Sequence, residues 1–180
     1  MKRPEGDEEA GGHLSPPCGK DKEAISVSEN KTIYLAYGSN LNLEQMAVRC
    51  PTARVVGSTM LNGYQLLFRG FSGGAVATVE KKPGSSVPVL VWELKPSDEA
   101  ALDRYEGYPA FYRKEYIKVR LNGKQVQAMI YIMNEGRPLG MPGRRYYNTI
   151  LEGYKAAGFD TGILNKAVQV SAGYEALDKF

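Results

Sequence analysis

Two Asn-Gly pairs, Asn62-Gly63 and Asn122-Gly123, constrain this chain more than any other feature. Each sits between runs rich in apolar, β-branched and aromatic residues. Such a pair favours the tight type I′ turn, whose two central residues both need positive φ. The pattern predicts one hairpin from 53–61 and 64–69, and another from 112–121 and 125–133. Two-residue turns join antiparallel strands, which argues against a doubly wound parallel sheet.

The remaining elements follow from period and punctuation. Residues 33–37 form a short apolar run, read as a buried strand. Gly73-Gly74 introduces a strand over 75–80, and Lys82-Pro83-Gly84-Ser85 reads as a further turn. Residues 87–94 are strongly apolar; Trp92 is expected in the core or on its rim, and Pro88 marks an edge or irregular entry. Helices are predicted over 43–50 with Asn42 as N-cap, and over 98–105 capped by Ser97 and ended by Gly107 and Pro109. Another covers 144–157, with Ile150, Leu151 and Tyr154 on one face and Gly158 as the C′ residue. A last helix starts from Asp160 or Thr161 and reaches about 170. About seven strands, mostly joined by hairpins, with helices inserted, make an α+β domain around a mixed, mostly antiparallel, strongly bent or closed sheet.

Composition sets the class. A chain of 180 residues, 43% hydrophobic and 24% charged, suits one soluble domain with a real core. A net charge of +3 implies no dominant role on nucleic acid or a membrane surface. No apolar run is long enough to span a bilayer, and no charged-then-apolar leader opens the sequence. Residues 1–30 are rich in Gly, Pro, Ser, Glu and Lys and read as a disordered tail, with a short helix possible over 20–26; the folded domain is expected over 31–180. Cys18 and Cys50 have neither metal-ligand spacing nor a disulfide framework, so a reducing cytoplasm is the default expectation. The one histidine, His13, lies in the tail. Histidine triads, Cys-His dyads and His-rich metal sites are therefore disfavoured, and proton transfer falls to carboxylates, tyrosines, lysines or backbone groups.

Two stretches could carry chemistry. Tyr34-Leu35-Ala36-Tyr37-Gly38-Ser39-Asn40-Leu41 runs from strand through small-residue turn to helix, exposing backbone N–H groups suited to a carboxylate or oxyanion. The same pattern also serves an ordinary β-turn-α corner. Glu106, in Leu102-Asp103-Arg104-Tyr105-Glu106-Gly107-Tyr108-Pro109, sits at a helix end among tyrosines, a place that can aim a carboxylate into a cleft and raise its pKa. A solvated helix-end glutamate has the same signature. Asp103 reads as a surface partner of Arg104 or Lys114. Tyr105, Tyr108, Tyr112, Tyr116, Tyr131, Tyr146 and Tyr147 read as core or rim residues, with a few phenols left for a polar ligand.

Taken together, Tyr37-Gly38-Ser39-Asn40-Leu41 after an apolar strand, then Leu102-Asp103-Arg104-Tyr105-Glu106-Gly107 and Tyr112, resemble the γ-glutamylcyclotransferase family. Tyr131-Ile132-Met133, the Pro142 loop and the Tyr146 helix match it in order, over roughly 31–170. The resemblance implies a small mixed β-barrel flanked by helices. It implies an enzyme that closes a γ-glutamyl group to 5-oxoproline and releases an amino acid or amine. Glu106 falls on the family's general acid/base, Tyr37, Gly38, Ser39 and Asn40 on its substrate loop, and Tyr112 and Tyr146 on pocket tyrosines. The expected partner is a small γ-glutamyl amine or peptide, met by a monomer or homodimer, with no metal, cofactor or nucleic acid. The Tyr-Gly-Ser-Asn form resembles the general branch: the glutathione-specific branch usually has Leu in place of Asn40, the γ-glutamylamine branch Thr in place of Ser39. The competing class is a non-catalytic small-ligand-binding or interaction module, for which loss of Glu106 would be the expected mark. Either way, Glu106 and the 37–40 loop are expected to line one pocket.

Overall fold

The first strand is the middle of the sheet. In the computed structural model, which describes residues 30–173, β1 (Thr32–Ala36) lies between β3 and β5 in a five-stranded sheet of order β2-β3-β1-β5-β4. The other strands are β2 (Arg54–Arg69), β3 (Val76–Leu94), β4 (Tyr112–Leu121) and β5 (Lys124–Met133). Leu35 and Ala36 are fully buried, as a central strand covered on both faces requires. β1 pairs antiparallel with β3, from Thr32 opposite Leu94 to Ala36 opposite Leu90, and parallel with β5 at Tyr34 and Met129. The two remaining strand ladders, β2–β3 and β4–β5, are antiparallel. The tail over 1–30, but for its last residue, and its 20–26 helix lie outside the described residues, as do residues 174–180.

The α+β architecture and the mixed, mostly antiparallel sheet are as expected, but the barrel is not strictly closed. Outer strands β2 and β4 approach until Thr59 Oγ1 donates to the Arg120 carbonyl at 2.7 Å, yet no ladder joins them.

The two Asn-Gly pairs behave differently. Asn122 (φ 48°) and Gly123 (φ 78°) form the predicted turn between β4 and β5. Asn62-Gly63 turns nothing: β2 runs through it without a break. Asn62 pairs with Ser86 and Tyr64 with Lys81, so Gly63 and residues 82–85 face each other as a bulged interruption of one long ladder. The four short strands expected over 53–94 are therefore two long ones, and the hairpin bends at 70–75. Burial explains the outcome. Leu61 opposite Val87 and Leu66 opposite Val79 are all in the core, so both sides of the Asn-Gly pair must stay in the sheet. Pro88 sits where β3 has not yet come alongside β1, and Trp92 is buried.

Among the described residues four α-helices complete the fold: α1 (Leu43–Arg49), α2 (Pro96–Glu106), α3 (Arg144–Ala156) and α4 (Thr161–Ser171). Asn42 caps α1 as expected, accepting from the Gln45 N–H at 3.1 Å. Asp160 caps α4. The cap of α2 is Lys95, not Ser97. Pro96, which has no N–H to satisfy, takes the first helical position, and the Asp98 carboxylate reaches back to the Lys95 N–H at 3.1 Å. Gly107 ends α2 in the left-handed conformation (φ 63°) that favours glycine. On α3, Gly153 rests on the turn that follows β1: a Cβ there would lie 2.5 Å from the Leu41 Cβ. No described helix is long and apolar enough to cross a membrane.

Candidate active site

β1 delivers the chain to the site. Past its last residue come Tyr37 and Gly38, then one 3₁₀ turn, Ser39–Leu41, closed by the Leu41 N–H on the Gly38 carbonyl and the Asn42 N–H on the Ser39 carbonyl, both 3.0 Å. Gly38 leaves little room, since a Cβ there would lie 3.3 Å from the Ala77 Cβ and 3.5 Å from the Tyr146 hydroxyl. Ser39 and Asn40 are only 6% and 3% exposed. Polar side chains so buried need partners. Ser39 Oγ lies 3.1 Å from the Tyr105 hydroxyl, and Asn40 Nδ2 donates to both the Tyr34 hydroxyl and Glu106 Oε1 at 2.8 Å.

Glu106 is the last residue of α2, just before the turn at Gly107, and its carboxylate lines the pocket against the 3₁₀ turn. Burial lifts its pKa from the ordinary 4.5 to about 7; the Asn40 hydrogen bond and the Arg49 charge pull the other way without cancelling it. The surrounding phenols stay neutral. Burial first, and the Glu106 charge in part, push Tyr34, Tyr37, Tyr112 and Tyr146 upward. Tyr112 donates to the Ala77 carbonyl at 2.6 Å, and the Ala77 N–H donates to the Tyr146 hydroxyl at 3.2 Å, so two pocket tyrosines grip one residue of β3. Tyr37 donates to the Tyr131 carbonyl at 2.7 Å.

The cavity is about 410 Å³ and brings together Tyr37, Gly38, Ser39, Asn40, Glu106, Tyr112 and Tyr146, all seven residues singled out from the sequence. Tyr34, which opens the first candidate stretch, and Tyr131, one of the tyrosine set, add walls, as does Phe111, for which the sequence offers no signal. Arg49, behind Asn40, went unnoticed, because a lone arginine ending a short helix carries no motif. Asp103 is a partner of Lys114 (2.8 Å), as expected, but it also accepts from the Tyr131 hydroxyl at 2.5 Å and is not merely a surface charge. Cys50 is buried and its thiol is pushed up to about 11 by burial, which leaves it a poor nucleophile. What the arrangement can do is move a proton on one carboxylate, within a wall of neutral hydroxyls.

Fold and pocket define a class: an α+β domain with a curled mixed sheet, whose cavity sets one carboxylate against a Tyr-Gly-Ser-Asn turn. Residues 34–151 match the family described as γ-glutamyl cyclotransferase, AIG2-like, and the chain belongs to that enzyme family. It is 33% identical over 150 residues to the γ-glutamylcyclotransferase of Mus musculus, covering 77% of this chain and 78% of the relative. To that of Homo sapiens it is 30% identical over 148 residues, covering 76% and 77%. A solved γ-glutamyl cyclotransferase structure superposes with a TM-score of 0.66 at 29% identity, over 76% of this chain and 86% of that one.

Proposed function

We propose that this chain is a γ-glutamylcyclotransferase in which Glu106 serves as both general base and general acid. The α-amine of a bound γ-glutamyl group attacks its own γ-carbonyl. The ring C–N bond forms, the bond from that carbonyl carbon to the departing nitrogen breaks, and the products are 5-oxoproline and a free amine or amino acid. No water is consumed. The ammonium gives up two protons as it becomes the lactam N–H: Glu106 takes one and gives it to the leaving nitrogen, and solvent takes the other. The nucleophile belongs to the substrate, so the protein's tasks are to fold the chain for ring closure and to carry that proton.

One observation carries this reading: the half-buried Glu106 carboxylate stands in the pocket, held by Asn40, with a pKa near neutrality. A carboxylate poised near 7 is balanced between taking and giving a proton. Gly38, Ser39 and Asn40 supply the backbone that grips the glutamyl moiety, and Tyr112 and Tyr146 shape the pocket around it. The unit doing this is 31–180, with 1–30 a tail outside it, acting in the cytoplasm on a small γ-glutamyl amine or peptide.

The test is release of 5-oxoproline from a panel of γ-glutamyl dipeptides, γ-glutamyl amines and glutathione. Turnover of at least one member, lost in Glu106→Gln, is the expected result. Turnover undiminished in that variant would remove Glu106 from the mechanism.

A further inference from the structure

The hydrogen-bond chain of the pocket continues past Asn40. Arg49 ends α1, and its Nη1 donates to Asn40 Oδ1 while its Nη2 donates to Gln45 Oε1 at 3.3 Å. The guanidinium carbon lies 3.4 Å from the centroid of the Tyr105 ring, whose hydroxyl meets Ser39 Oγ. One cation is thus set against Asn40 itself and against the partner of Ser39. Stacking on an aromatic face and donating in a fixed fork are what a guanidinium does and an ammonium does not.

The consequence lies in the orientation of an amide. Arginine can only donate, so Asn40 must present its oxygen to Arg49. Its NH₂ then faces Tyr34 and Glu106. Turned the other way, Asn40 would set NH₂ against the guanidinium and oxygen against the carboxylate. We propose that Arg49 is a positioning residue for the reaction: acting through Asn40, and braced on Tyr105, it fixes the amide so that a donor meets Glu106. This rests on the reading of Glu106 as the acid/base.

The groups facing Glu106 are Tyr34 from β1, Tyr37 just beyond it, Arg49 from α1, Tyr112 from β4 and Tyr146 from α3. Arg104 and Tyr105 of α2 line the same pocket; the four tyrosines are neutral, and among the described residues Arg49 is the cation whose charge holds the carboxyl's pKa down. Losing it removes a favourable charge and frees the amide to flip, and both changes favour protonated Glu106.

The experiment measures the pH profile of kcat/KM and, independently of turnover, the titration of the Glu106 carboxyl by ¹³C NMR, assigned with Glu106→Gln. Arg49→Met should move both the acid limb and the titration to higher pH by about 1 unit, with the alkaline plateau largely retained. Arg49→Lys, which keeps charge and donor, should move them less. In an Asn40→Ala background, Arg49→Met should add a smaller shift than it does alone. If Arg49→Met does not fold, Arg49→Gln still removes the charge while keeping a donor, and should move the titration upward by more than Arg49→Lys does. An unmoved titration, or a loss equal at every pH with a lowered melting temperature, would reduce Arg49 to a structural residue. A parent protein that makes no 5-oxoproline from any substrate would overturn the proposed reaction, and with it Arg49's role in one; the NMR titration would then show whether the Arg49–Asn40–Glu106 link itself had failed.

Discussion

Helix α2 carries a carboxylate at each end, and the two are provided for in opposite ways. Asp98, in the first turn and 2% exposed, accepts from the Thr52 hydroxyl at 2.6 Å, the Thr52 N–H at 3.4 Å and the Lys95 N–H at 3.1 Å. The positive end of the helix dipole favours it as well. Glu106, at the other end, accepts from Asn40 and faces the negative end of the same dipole. An acid saturated with donors holds a structure together. An acid left nearly bare, in a cavity, is available for chemistry.

The largest effect should come from bringing the bare end to rest. Glu106→Gln should lower turnover by about 10²- to 10⁴-fold, or more if one group serves both proton transfers, measured as 5-oxoproline release. The same change should stabilise the protein in alkali. A carboxyl whose pKa is raised on folding binds its proton more tightly in the folded chain. The stability this gives is full below the unfolded value, 4.5, and is lost as pH rises through about 7. The parent should lose at most about 3 kcal/mol over that window and the variant none of it. Melting temperatures of the two should therefore match near pH 4 and diverge above pH 7; a variant less stable than its parent at pH 8 would contradict the comparison.

Breaking the saturated end should do the reverse. Asp98→Ala strands the Thr52 and Lys95 donors and should cost about 2–3 kcal/mol by urea unfolding, with turnover per folded molecule nearly unchanged. Asp103→Asn, between the two, should be milder. The amide can still accept from Tyr131 while the Lys114 pair weakens, so turnover should fall by less than about tenfold. Smallest of all, deletion of residues 1–28 should leave melting temperature and activity close to those of the full chain, because that stretch has too few apolar residues to join a core. A large drop in melting temperature on truncation would contradict this.

The two Asn-Gly pairs show where local sequence suffices. At 122–123 the strands on either side end with the turn, and local preference decides. At 62–63 core residues continue on both sides, so the long β2–β3 ladder overrides the same dipeptide and absorbs it as a bulge. Strand count, strand length and the open edge between β2 and β4 all depend on such distant pairings, which no window of sequence contains. The pocket was more legible. Residues 37–40 and Glu106 lie on a strand-turn and a helix end whose types are locally encoded, and the resemblance joined them. Arg49 was not legible, since its importance lies wholly in which amide oxygen it meets.

The middle position of β1 reverses the order of the chain. The hairpins β2–β3 and β4–β5 can form from contacts near in sequence, but β1 needs β3 on one side and β5 on the other. Contacts so far apart along the chain close slowly. The turn after β1 also needs Gly153 of α3 lying against Leu41. The first of the described strands thus completes its pairing only once β5 has been made. During synthesis the Tyr-Gly-Ser-Asn segment therefore precedes its supports, since β3, β5 and Gly153 of α3 all follow it in the chain. A chain halted before α3 would lack both Gly153, on which Leu41 rests, and Tyr146, which walls the pocket.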